Sequence, residues 1–114
     1  MEKQENTISK KELDIFYMVE PLLSSVLIEI KSFANKKQDG ILSLAKVNMI
    51  NKILIPAKEL FKDQPVNDFL EILDKDSLPS YSDTVIVIVQ YEAALRRFRS
   101  QNIPSTSFDL TSWD

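Results

Sequence analysis

Apolar residues recur along this chain at helical spacing. Phe16, Val19, Leu23, Val26, Ile30 and Phe33 are separated by 3, 4, 3, 4 and 3 positions, a single stripe at heptad period. Ser9 followed by Glu12 is an S-x-x-E capping box, in which the serine hydroxyl accepts from the glutamate N–H and the carboxylate reaches back. Together these predict a first helix over 10–36. Pro21 lies inside it. Proline lacks the N–H and its ring crowds the preceding turn, so a kink is expected there, or a division into two helices. The stretch KKQDG (Lys36–Gly40) closes the segment, with lysines at the negative end of the helix dipole and Gly40 free to take a positive φ.

A second stripe, Val47, Ile50, Leu54, Ala57 and Phe61, is spaced 3, 4, 3, 4 and predicts a helix over 43–62, kinked at Pro56. Its opposite side carries Lys46, Asn48, Asn51, Lys52, Lys58, Glu59 and Lys62. Pro65 suits the first position of a short helix over 65–74, with Val66, Phe69, Leu70 and Leu73 as the buried side. Asp74–Asp83 is a loop by composition, and Pro79 bars a continuous helix. Ser82 is the expected N-cap of the last segment.

That last segment is ambiguous. Val85–Val89 is five β-branched residues in a row, a strand signal, yet it runs without a turn residue into a helical stretch ending at Ser100. A strand needs a partner, and no second alternating β-branched run exists to supply one. β-branching costs a helix at most about 0.7 kcal/mol per residue relative to alanine. Burying one Val or Ile side chain contributes about 1.5–3 kcal/mol. Packing should therefore override propensity, giving a helix over 83–101. Its stripe is Val87, Tyr91, Ala94 and Phe98, flanked by Ile88 and Leu95, and its all-apolar first turns should be fully buried.

The fold class expected is all-α: a small bundle of four to five helices. Residues 1–9 are read as a flexible N-terminus, 10–101 as the helical domain and 102–114 as a C-terminal tail. At 114 residues, 44% hydrophobic and 27% charged, the chain has the balance of one globular domain.

Composition narrows the chemistry sharply. Without Cys there is no disulfide, thiolate metal site or Cys nucleophile, and without His the commonest general base and metal ligand is gone. One glycine cannot build the phosphate-cradling loops of nucleotide-binding motifs. The net charge of -3 gives no broad attraction to nucleic acid or anionic lipid. The start MEKQENTISKK has no apolar signal core, and no run reaches the ~18 apolar residues of a membrane span. A cytoplasmic protein with no cofactor, no metal and no membrane contact is expected.

Three clusters remain as candidate sites. Asp63, Asp68, Glu71, Asp74 and Asp76 are rich in carboxylates, but Leu78 and Pro79 stand where a calcium loop needs a ligand and a glycine, so a solvated acidic face is the better reading. Arg96, Arg97 and Arg99 form the densest positive cluster, either a wet helix end or a docking point for phosphate, nucleic acid or an acidic partner. The tail sets Phe108, Leu110 and the only Trp, Trp113, among Ser, Thr and Asp. It either folds back into a groove between helices or serves as a short linear motif for another protein.

The expectation is a non-enzymatic protein–protein interaction module, an adaptor, inhibitor or regulatory subunit. Leu22, Leu27 and Ile28 beside the first stripe, and Val85 and Ile86 in the last helix, exceed what a small core covers. This implies a homodimer or a protein partner on one of those surfaces. The alternative is a nucleic-acid-associated regulator acting through Arg96, Arg97 and Arg99, which the net charge does not favour.

Overall fold

A computed structural model describes residues 8–37 and 39–104. Among them are three α-helices, α1 (Lys10–Lys36), α2 (Leu44–Glu59) and α3 (Tyr81–Asn102), and one 3-10 turn at Pro65–Phe69. The described residues are all-α, with three helices rather than four or five. Among the described residues there is no strand, only an isolated bridge between Ile41 and Ser80. None of the described helices is long and apolar enough to cross a membrane.

The capping box starts α1 as its sequence requires: Ser9 Oγ accepts from Glu12 N–H at 3.0 Å, and Ser9 N–H donates to Glu12 Oε1 at 2.9 Å. The helix then runs unbroken through Pro21 for 27 residues, as the expected 10–36 span has it, and the alternative of two separate helices does not occur. Tyr17, whose carbonyl loses its donor, and Pro21 are both exposed, so water can replace the missing partner at little cost. The buried stripe also departs from heptad spacing. Leu27 is buried in place of Val26, so the core residues are Phe16, Val19, Leu23, Leu27 and Ile30. A straight helix drifts about 20° per heptad against a 3.5-residue repeat, and this shift of one position is that drift.

The helix α2 keeps its predicted stripe: Val47, Ile50, Leu54 and Ala57 are buried, with Phe61 just beyond the helix. It ends at Glu59, short of 62, and tightens into successive three-residue turns, Leu60 N–H to Ala57 O, Phe61 N–H to Lys58 O and Lys62 N–H to Glu59 O. At Gly40 the φ is not positive. The glycine is needed there because a Cβ would sit 2.6 Å from the Tyr81 ring.

The three helices alternate in direction along the packing. Phe16 stacks on Phe98 with ring centroids 5.0 Å apart, and Phe33 lies 5.3 Å from Tyr81, so α1 and α3 are antiparallel. Lys46 lies over the Phe33 ring and Phe61 meets Phe98, so α2 is antiparallel to α1 and parallel to α3. Parallel neighbours need a return segment as long as a helix, and residues 60–80 supply it. This is why the expected helix over 65–74 does not form beyond Phe69: an extended residue advances about 3.3 Å against 1.5 Å in a helix, and only the former covers the distance. Leu70 and Leu73 of that return are buried, while Phe69, expected inside, is 67% exposed.

Polar side chains of α2 hold the return in place. Asn51 Nδ2 donates to Leu73 O at 2.9 Å and Asn51 Oδ1 accepts from Leu73 N–H at 3.0 Å, the pairing a neighbouring strand would provide. Lys58 Nζ donates to Asn67 O, Asn67 Oδ1 and Leu70 O. Neither residue belongs to a solvated face, as the sequence pattern suggested. The Tyr91 hydroxyl of α3 donates to Glu71 O at 2.8 Å, fixing the return from the other side.

The strand-like run is helical. Its N-cap is Ser80, not Ser82: Ser80 Oγ accepts from Asp83 N–H at 3.0 Å, and Thr84 Oγ1 donates to Ser80 O at 2.8 Å. Ser80 is already held extended by the bridge to Ile41, which leaves Tyr81 as the first helical residue. Ile88, Tyr91, Ala94, Leu95 and Phe98 are buried. The first turns are not fully buried, however: Ile86 is 58% exposed, and Val85, Val87 and Val89 are only half-buried.

Candidate functional site

The shift from Val26 to Leu27 in the core has a consequence on the outside of α1. Val26 turns away from α3 and, with Phe33, forms one wall of a cleft against α2. The other wall is Met49 and Ile53, and the buried edges of Ile30 and Ile50 form the floor. The cleft holds about 180 Å³, and its only charged lining residues are Glu29 and Lys46. Lys46 Nζ sits 5.5 Å from the centroid of the Phe33 ring, a cation–π contact that holds the ammonium at the rim. Among the described residues Lys46 makes no ion pair.

An apolar ridge leads from the cleft toward the start of α1. Met18, Leu22, Val26 and Ile30 are spaced by four and so lie along one ridge of the helix. Met18 and Leu22 are about half exposed, and Met49 across the cleft is 66% exposed. Met49 on the cleft and Met18 on the ridge give this surface side chains that adapt to different shapes. Sequence reasoning did not single out Met49 or Ile53. The available signal was a second apolar spacing on α2, beside the buried stripe and on the side otherwise read as polar.

The other edge of α1 is polar. Arg99 Nη2 donates to Glu20 Oε1 at 2.7 Å, and its guanidinium carbon lies 5.3 Å from the Phe16 ring centroid. The hydrogen bond that Arg99 donates to Glu20 raises the Arg99 pKa above its ordinary value, so the side chain stays charged. Ser24 Oγ donates to Glu92 Oε2 at 3.0 Å, and Glu20, Ser24, Glu92, Arg96 and Arg99 line a shallow depression between α1 and α3. The positive cluster is thus divided: Arg99 is engaged within the fold, while Arg96 and Arg97 are exposed. Two glutamates share that depression with the arginines, so no uniformly basic face forms.

The carboxylates do not converge. Among the described residues no group of three His, Cys, Asp or Glu side chains is placed to hold a metal ion. Asp74 instead shapes a turn, its Oδ1 accepting from Asp76 N–H at 2.8 Å. Tyr91 is buried, and burial, reinforced by Glu71, pushes its hydroxyl pKa well above 10. Its role is structural, through the bond to Glu71 O. The tail residues Phe108, Leu110 and Trp113 and the N-terminal residues 1–7 lie outside the described residues. No family model matches the chain, and comparison with curated proteins and with solved structures returns no match.

Proposed function

We propose that this chain is a non-enzymatic protein–protein interaction module whose binding face is the cleft between α1 and α2. The observation that carries the reading is the cleft itself: about 180 Å³, walled by Val26, Phe33, Met49 and Ile53 and lined almost wholly by apolar side chains. An apolar cavity of roughly 150 Å³ takes a benzene molecule, so this one accommodates an aromatic anchor. Lys46 at the rim defines the rest of the ligand. The partner is a peptide segment with a large aromatic side chain next to a carboxylate, the anchor-in-pocket arrangement that dominates many interfaces.

The test uses short peptides in which tryptophan or phenylalanine is followed by aspartate, titrated into the Trp113→Ala chain and followed by NMR. Shifts at Val26, Phe33, Met49 and Ile53 are expected, lost when the anchor becomes alanine and weakened when aspartate becomes lysine. Binding elsewhere, or equal binding of the alanine peptide, refutes the reading. The nucleic-acid reading has less support, because Arg99 is paired with Glu20 and acidic groups interleave with Arg96.

A further inference from the structure

The chain itself contains a segment with the chemistry that the cleft selects. We infer that residues 105–114 occupy the α1/α2 cleft in cis, with Phe108 and Leu110 along the Met18–Leu22 ridge, Trp113 between Val26, Phe33, Met49 and Ile53, and Asp114 beside Lys46. This rests on the cleft being a binding face, and adds who occupies it.

The direction of the chain places the tail at the right end. Because Phe98 stacks on Phe16, α3 finishes level with the first turns of α1, and the tail leaves from Pro104 at that end. From Phe16 the ridge passes Met18 and Leu22 and enters the cleft at Val26, ten residues on, or about 15 Å at 1.5 Å per residue. Pro104 lies six residues beyond Phe98, which adds up to ~9 Å to the path. Trp113 is nine residues past Pro104, and an extended chain advances at most about 3.3–3.6 Å per residue, giving a reach of roughly 30 Å. The same arithmetic puts Phe108 about 13 Å out, short of the cleft and beside the ridge. Trp113 reaches the cleft only if the tail is nearly straight, leaving just enough length to cross from the α3 side.

Charge and exposure agree with this placement. Lys46 stands at the rim with no ion pair among the described residues, and the tail offers Asp109 and Asp114, the latter directly after the tryptophan. The ridge residues Met18 and Leu22, apolar and about half exposed, are those that Phe108 and Leu110 would cover.

Trp113 is the only tryptophan, so intrinsic fluorescence of the full chain reads its surroundings alone. Blue-shifted emission with weak acrylamide quenching is expected, unchanged on dilution. Met49→Glu, at a position exposed enough to leave the fold intact, should red-shift the emission and raise quenching several-fold. Deleting Thr106 and Ser107 shortens the reach by roughly 7 Å and should do the same while keeping every aromatic. Circular dichroism verifies that both variants stay helical.

Solvent-exposed emission in the unaltered chain overturns the inference. So does a blue shift that survives both changes. A blue shift lost on dilution assigns the tail to the cleft of a second copy and overturns the cis arrangement. If Trp113 is exposed while the anchor peptides still bind the Trp113→Ala chain at Met49 and Ile53, the tail inference fails and the binding face stands. If the peptides fail as well, both fall.

Discussion

Asn51 is the side chain on which the return segment depends, and its replacement tests the architecture most directly. It is 7% exposed and bonds both backbone groups of Leu73, itself buried. Asn51→Ala removes both partners and leaves the Leu73 N–H and C=O without acceptor or donor. A buried polar group left unpaired costs about 1–3 kcal/mol. The Asn51–Leu73 pair borders an open depression between α2 and the return, through which water can reach one of the two groups. The expected loss is therefore about 2–4 kcal/mol, the lower half of the additive range, against a total of roughly 5–15 kcal/mol for a domain. Urea unfolding followed by circular dichroism measures it, and hydrogen exchange locates it: the Leu73 amide should lose protection far more than amides of α1.

Asn51→Asp separates the two bonds. Its carboxylate still accepts from Leu73 N–H but repels Leu73 O, and burial lifts its folded pKa above the unfolded value near ~3.9. A carboxyl raised in the folded state stabilises when protonated, so this variant should be most stable below about pH 4 relative to the parent, and lose ground as pH rises through the folded pKa. A loss below about 0.5 kcal/mol for Asn51→Ala, with Leu73 still protected, would refute the claim that this pair holds the return.

Gly40→Ala places a Cβ 2.6 Å from the Tyr81 ring, and a loss of about 1–3 kcal/mol is expected, largely relieved in the double variant with Tyr81→Ala; strict additivity of the two changes would contradict the packing argument. Tyr91→Phe removes the 2.8 Å bond to Glu71 O and should cost about 1 kcal/mol at neutral pH. Because the Tyr91 pKa is raised by burial, the folded state favours the protonated hydroxyl, so parent stability should fall as pH climbs past the ordinary tyrosine value of 10, and this fall should be smaller in Tyr91→Phe. Arg99→Ala breaks a partly exposed pair with Glu20 and should cost no more than about 1 kcal/mol by thermal melting, shrinking with added salt.

The sequence patterns locate α1 and α2 well because each has a continuous buried stripe, and α1 also has the Ser9 capping box; the Ser43 cap of α2 emerges from the structure. They fail on the return for a reason of scale. Leu70 and Leu73 are three apart, which reads as a helical turn, but which conformation they take is decided by how far residues 60–80 must travel between two parallel helices. Lys58 and Asn51 are misread by the same token. Nothing local distinguishes a lysine facing water from one facing three acceptors on Asn67 and Leu70, since those acceptors arrive from nine or more residues away. Ser80 and Ser82 are equally good caps by type; the bridge from Ile41, a tertiary contact, selects Ser80.

The cleft and the run at Val85–Val89 share one lesson about apolar surplus. Periodicity states which residues share a face, but not which faces the fold covers. In α1 the stripe was legible to within one position, and that position mattered most: with Leu27 inward, Val26 becomes a wall of the cleft instead of core. In α3 five successive apolar residues surround the helix, and three helices with one return can bury only one side of it, so Ile88 goes inside and Ile86 stays out. An excess of apolar residues therefore foretells that some surface will be left for another segment. Where that surface lies follows only from the packing, here from the cleft between Val26 and Met49, a gap that neither helix fills.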